Sequence, residues 1–219
     1  MEVQRTSTSL TQLHTDCVVI GIPEAESVEA SVAELEPTLA AFVRDLMDAG
    51  DFKAKAGQLL TVHRPAGLTA KRLLLVGLGR SEKRSAWTER EWFTALGQSL
   101  HQLPITAAYL DLASLIPSQE RGSIERLGYA LAYSSYHYEA TKPRKEPKTH
   151  QLQTLSVLDD TAACEALTCG LVIGQGTNLT RELGNLPGNT CTPRYLAAQA
   201  EQLATDSPTL TVEILDEVE

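Results

Sequence analysis

The chain has 219 residues, 42% apolar and 21% charged, so it holds enough apolar matter for a packed core and is neither disordered nor collagen-like. Its 28 acidic and 19 basic residues leave a net charge of −9 with histidines neutral. A surface that acidic repels phosphate, which disfavours nucleic acid and anionic membranes as main partners.

This length is a prior for one large domain or one and a half ordinary ones. The longest apolar run, Leu73 to Leu78, is far too short to span a bilayer, and Met1 to Arg5 lacks the apolar stretch of a secretory signal. Four cysteines do not make a disulfide framework. Cys17 sits in an apolar run, Cys191 stands alone, and Cys164 and Cys169 lie about 140° apart round a helix. Reduced thiols packed as small core residues, in a cytoplasmic protein, are the expectation.

Cys17-Val18-Val19-Ile20, closed by Gly21 and Pro23, reads as a buried strand over 15–22. Pro37 then opens a helix whose Leu39, Phe42, Val43, Leu46 and Met47 recur at helical spacing, with Gly50 as the stop. Two strand-like runs follow, Leu59 to His63 and Arg72 to Leu78. The eight residues between them are too few for a crossover helix, so the pair is antiparallel. The second run has no polar alternation, which predicts a central strand covered on both faces.

Thr88-Glu89-Arg90-Glu91 has the form of a capping box, ahead of a stripe made by Trp92, Leu96, Leu100 and Leu103. Pro104 ends that helix and Ile105 to Leu110 reads as a strand. A helix over 123–136 follows, then a solvated basic loop, Thr141 to His150, with Lys142, Arg144, Lys145 and Lys148. Leu152 to Leu158 completes the sheet. A long helix over 161–183 carries Gly170, Gly174 and Gly176, small residues that let another backbone approach closely. After a loop from Gly184 to Cys191, Thr192-Pro193 caps a further helix to about Ala204. Thr209 to Leu215 reads as a last strand. Strand and helix in alternation define an α/β layered fold with a largely parallel sheet.

Familiar chemical constellations are incomplete in this chain. Gly77-Leu78-Gly79 follows a strand as a dinucleotide loop does, but Glu82 occupies the third glycine position and would turn a carboxylate toward a pyrophosphate. A plain strand-to-loop turn is the simpler reading. Gly174-Gln175-Gly176 has Leu179 in the same place. His14, His63, His101, His137 and His150 are scattered, with no metal-ligand spacing. Asp159-Asp160 fits helix capping better than metal binding, and the clustered carboxylates of a two-metal site are missing. Gly97-Gln98-Ser99-Leu100 is followed by His101, so no nucleophile elbow forms. The basic loop could contact phosphate, although charge runs are usually solvated faces. Tyr129, Tyr133 and Tyr136 upstream share one helix face, as packing residues do.

One stretch is distinctive: Asn178-Leu179-Thr180-Arg181-Glu182-Leu183-Gly184-Asn185-Leu186-Pro187-Gly188-Asn189-Thr190-Cys191-Thr192-Pro193-Arg194-Tyr195-Leu196-Ala197. It resembles the junction between the two domains of the leucyl aminopeptidases, the di-metal cytosol aminopeptidases. Gly50-Asp51-Phe52-Lys53-Ala54-Lys55-Ala56-Gly57, Leu74 to Gly79, and Tyr136-His137-Tyr138 with its basic loop are similar to earlier segments of that family. Departures are Gly184, where the family usually has a larger residue, and the proline-rich loop after Tyr138.

The resemblance implies a three-layer mixed α/β sandwich similar to macro domains over 1–158, a linker helix over 159–184, and the start of a truncated catalytic domain over 185–219. It implies a parent enzyme that releases amino-terminal residues from peptides, using two divalent metals (zinc or manganese) to polarise the carbonyl and activate water. The implied partners are the parent's own carboxy-terminal domain and further copies in a hexamer. The family's metal ligands come from motifs such as Asn-Thr-Asp-Ala-Glu-Gly-Arg, which residues 1–219 do not contain. The resemblance therefore assigns no catalytic, cofactor-binding or metal residue here, and the expectation is a structural role. The rival reading is a macro-like module binding ADP-ribose or DNA. The net charge ranks DNA lower.

Overall fold

The computed structural model describes residues 1–143 and 151–215. Most of the basic loop, with Arg144, Lys145, Lys148 and His150, lies outside the described residues. The strands are β1 (Glu2–Thr6), β2 (Cys17–Pro23), β3 (Leu59–His63), β4 (Arg72–Gly79), β5 (Ala107–Leu110) and β6 (Thr154–Leu158). The helices are α1 (Val28–Val32), α2 (Pro37–Asp48), α3 (Ala86–Gln102), α4 (Leu112–Leu115), α5 (Arg121–Ser134), α6 (Thr161–Asn185) and α7 (Pro193–Asp206). The described residues form two compact units, 1–136 with 151–176, and 137–143 with 177–215. The division falls inside α6.

The first unit holds a six-stranded sheet in the order β1-β6-β5-β2-β4-β3. All pairings are parallel except β3 with β4, where Leu59 faces Val76 and His63 faces Arg72. The antiparallel pair and the fully covered β4 agree with the sequence reading. Successive residues of a strand face opposite sides, and β2 and β4 are apolar at every turn of the pleat. Val18, Ile20, Ile22, Leu73 and Leu75 pack with Val32 of α1 and Leu39 and Val43 of α2. Cys17, Val19, Leu74, Val76 and Leu78 pack with Phe93 and Leu96 of α3, Leu127 of α5 and Leu167 of α6. Helices thus cover both faces, and truncating a buried leucine such as Leu75 to alanine costs about 2–5 kcal/mol.

The glycines of α6 act as expected. A Cβ at Gly174 would lie 2.6 Å from the Ala132 Cβ and 2.7 Å from the Tyr129 carbonyl oxygen, and one at Gly170 would strike the Glu125 carbonyl. Reciprocally, a Cβ at Gly128 of α5 would run into the Leu167 carbonyl. Backbones this close leave no room for a methyl group, so glycine is a packing requirement here.

Elsewhere the structure adds to the sequence reading or departs from it. The polar Met1-to-Arg5 segment includes an edge strand, because β6 supplies its ladder and edge positions tolerate polar side chains; Glu2 pairs with Thr154 and Thr6 with Leu158. Helix α3 starts before the expected box. Ser85 is the N-cap, its Oγ accepts the Thr88 N–H at 3.3 Å, and Thr88 Oγ1 accepts the Ser85 N–H at 2.9 Å, so Thr88 closes the box as its third residue. Residues 207–215 form no strand among the described residues, where no neighbouring strand offers them a ladder. Gly184 and Asn185 belong to the last turn of α6 rather than to the following loop. Short elements α1 and α4 carry too few turns to show a period.

In the second unit, Thr192 caps α7 by accepting the Tyr195 N–H at 3.3 Å, with Pro193 in the first turn. No residue of α7 is buried, and Leu196, Leu203, Leu210 and Leu215 are exposed.

Candidate functional site

Ligands of open α/β sheets gather at the carboxyl ends of parallel strands, where successive connections leave on opposite faces. Strand β2 is followed by α1 and α2 on one face and its neighbour β4 by α3 on the other. Three adjoining hollows lie at this end of the sheet.

The first, of about 460 Å³, is edged by Glu24, Glu26, Arg80 and Glu82. The second, of about 400 Å³, is edged by Glu24, Gly79, Arg80, Lys83, Arg84 and Thr88. The third, of about 380 Å³, holds Ser31, Glu34, Asp111 and Ser114 around Gly21. The crest is therefore divided by charge, acidic over β2 and β5 and basic beyond β4. Arg80 Nε donates to Glu24 Oε1 at 3.4 Å across the boundary. Burial holds the Asp111 carboxyl above its ordinary range, although bonds from Ser114 and Ala113 pull the other way. Beneath it, burial pushes the Tyr109 hydroxyl up to about 12.

The Gly77-Leu78-Gly79 motif sits at this crest for a reason of packing. The segment 54–57 crosses over it, with Gly57 N–H donating to Gly77 O at 2.9 Å and Gly79 N–H to Ala54 O at 3.0 Å. A Cβ at Gly77 would collide with the Lys55 carbonyl, and Gly79 has φ +66° with Ala56 against it. The two glycines answer to protein backbone, as the simpler sequence reading holds.

The remaining candidates lie apart. Asp160 Oδ1 accepts the Ala163 N–H at 3.1 Å and caps α6, while Asp159 pairs with Arg5 at 3.4 Å. His101 Nε2 lies 2.9 Å from the Leu131 carbonyl oxygen, and His14, His63 and His137 are exposed. Cys17 is fully buried, its thiol pushed up to about 12 by that burial, and Cys164, Cys169 and Cys191 are free and half-buried. Tyr129 and Tyr133 stack with ring centres 5.6 Å apart and line a groove of about 610 Å³ with Arg90 and Arg126. Among the described residues no three His, Cys, Asp or Glu side chains are grouped to hold a metal. Lys83 and Arg84 carry the least expected feature. Two cations just ahead of the Ser85 cap are legible in the sequence as charge close to Arg80, but not as sharing a hollow with Glu24.

A six-stranded, mostly parallel sheet with one antiparallel edge hairpin and helices on both faces places the chain among mixed α/β domains. The profile of the cytosol aminopeptidase family, N-terminal domain, matches residues 19–145, and the chain belongs to that family. A probable cytosol aminopeptidase of Burkholderia multivorans is 34% identical over 198 residues, covering 87% of this chain and 39% of the relative. Its counterpart in Burkholderia ambifaria is 33% identical over the same shares. The chain thus spans about two fifths of the length of these relatives. Among solved structures, a tomato leucine aminopeptidase mutant is similar with a TM-score of 0.71 at 23% identity, covering 100% of this chain and 45% of that one. The bottromycin maturation enzyme BotP is similar with a TM-score of 0.63 at 22% identity, covering 88% and 37%. These two likenesses concern the fold.

Proposed function

We propose that the chain is the non-catalytic, amino-terminal part of a cytoplasmic di-metal aminopeptidase that releases amino-terminal residues from peptides. The observation that carries this reading is the family match over 19–145 together with 34% identity to a relative of which the chain covers 39%. On this reading residues 1–158 are a macro-like domain, 159–184 a linker helix, and 185–219 the beginning of the catalytic domain. The chain's role is then to shape access to the active site and to support a hexamer. The exposed Leu196 and Leu203 of α7 suit a helix that packs on further protein.

Two divalent metals, zinc or manganese, would supply carbonyl polarisation and an activated water in the parent enzyme. On this reading the chemical steps fall to the rest of the parent enzyme. Incubating the 219-residue chain with a leucine amide and manganese should release no product. Clear turnover that survives further purification would sink this reading.

The second reading, a macro-like binding module, is favoured by the hollows at the carboxyl ends of β2, β4 and β5. Titration with ADP-ribose and with a DNA duplex at two salt concentrations separates the two, because a phosphate-driven DNA contact weakens steeply with salt.

A further inference from the structure

The hollow at the end of β4 contains an electrostatic imbalance. Arg80, Lys83 and Arg84 surround it, and Glu24 is the one carboxylate in its lining. Glu24 is already engaged by Arg80 at 3.4 Å. Among the described residues, neither Lys83 nor Arg84 forms an ion pair. Glu89 is the carboxylate whose charge reaches Arg84, but its Oε2 accepts Arg126 at 2.7 Å and Ser123 at 3.1 Å.

Arg84 is half-buried, and its Nε is shut off from solvent with no hydrogen-bond partner. Burial lowers the hold of this guanidinium on its proton, with Glu89 opposing. A partly desolvated cation without a directly bonded counter-charge is costly, and proteins ordinarily pair such groups. This chain has 28 carboxylates for 19 basic residues, yet none is placed against Arg84. Location adds a second argument. The hollow is bounded by Glu24 just after β2 and by 79–84 just after β4, the strand pair whose following helices leave on opposite faces.

We propose that this hollow is an anion site that takes the phosphate group of a small ligand, with Lys83 and Arg84 as the charged contacts and Arg80 beside them. Three cations line the hollow against Glu24, and the charge of Glu82 also reaches Arg80 and Lys83, which leaves one net positive charge for a phosphate anion. The planar guanidinium of Arg84 offers paired donors to two phosphate oxygens, and the Lys83 ammonium acts as a point charge. Glu82 lines the neighbouring hollow, so the anion seats on the α3 side of the crest. This inference is independent of the aminopeptidase reading.

The test is a calorimetric titration of inorganic phosphate into the 219-residue chain, at constant ionic strength with chloride as the balancing ion. A saturable one-site isotherm is expected, weakened about tenfold or more by the double substitution Lys83→Gln, Arg84→Gln. Arg5→Gln, whose guanidinium pairs with Asp159 at the β1 edge, should leave it unchanged. Lys83→Gln alone alters an exposed side chain, keeps the fold by circular dichroism, and should weaken binding by severalfold. Repeating the titration with AMP identifies the source of the phosphate: tighter binding assigns a nucleotide, equal binding a bare phosphate group. Heat that never saturates, or an isotherm that survives the double substitution, overturns the proposal.

Discussion

The Asp16 carboxylate accepts the Lys71 ammonium at 2.7 Å through one oxygen, and its other oxygen accepts the Thr106 N–H at 2.9 Å and the Thr106 hydroxyl at 3.0 Å. A single side chain just before β2 thus ties down the starts of β4 and β5, the strands on either side of it. Burial alone would raise this carboxyl's pKa. The bonds from Lys71, Thr106 and Ala107 outweigh burial and hold the group well below the ordinary carboxylate range.

A carboxyl depressed in the folded state contributes stability that is present above its unfolded value of about 3.9 and lost as pH falls toward the folded value. Asp16→Asn should therefore lower unfolding free energy by about 1–3 kcal/mol at pH 7. Urea unfolding should show the gap between parent and variant narrowing at pH 3; an unchanged gap would rule out charge as its source. Lys71 is exposed, so Lys71→Ala should cost about 1 kcal/mol or less.

Two glycines of α6 predict opposite outcomes for one substitution. Gly170→Ala drives a methyl group into the Glu125 carbonyl and to 2.8 Å from the Tyr129 nitrogen, and should destabilise by about 1–3 kcal/mol or more. Gly176→Ala meets nothing within 4 Å and should stabilise by about 0.5–1 kcal/mol through helix propensity. Thermal melts of both variants decide the matter by the sign of the change.

Thiolate is the reactive form of cysteine, so a fully buried thiol pushed up to about 12 is protected twice. At pH 8 the native chain should leave Cys17 unlabelled by a soluble thiol reagent while Cys164, Cys169 and Cys191 react. Mass spectrometry of labelled peptides, before and after urea, reads the difference. Labelling of Cys17 at the rate of the others would mean that β2 opens readily.

Glu89 of α3 joins α5 by accepting Arg126 at 2.7 Å and Ser123 at 3.1 Å. Glu89→Ala should cost about 1–2 kcal/mol, held down by the partial exposure of Arg126. A double-mutant cycle with Arg126→Ala should return a coupling of about 0.5–1 kcal/mol. Zero coupling would show that the two charges act independently.

Features encoded within a few residues are legible in the sequence. The apolar runs of β2 and β4, the stripe of α2, the short link between β3 and β4 and the Thr192-Pro193 start of α7 each carry their signal within a few residues. Periodicity and breakers report which face of an element is buried, and burial is a property that neighbouring residues share. The Asn178-to-Ala197 stretch belongs with these local signals, and it pointed to the cytosol aminopeptidases that the family match confirms.

Pairing and charge compensation belong to another level. Nothing between Glu2 and Thr6 marks a strand until Thr154 to Leu158 lies alongside to complete its ladder. For the same reason, the apolar residues from 209 to 215 do not become a strand by composition alone. Asp16 is one of many acidic residues in the sequence, and only the fold sets Lys71 and Thr106 around it. Lys83 and Arg84 already stand close to Arg80 in the sequence, and only the fold brings Glu24 from the end of β2 to share their hollow. The sequence by itself determined which segments are buried, because hydrophobic periodicity is local. The tertiary structure alone decided which strand ends, backbones and charges meet, because hydrogen-bond ladders and Coulomb balance depend on residues far apart in the chain.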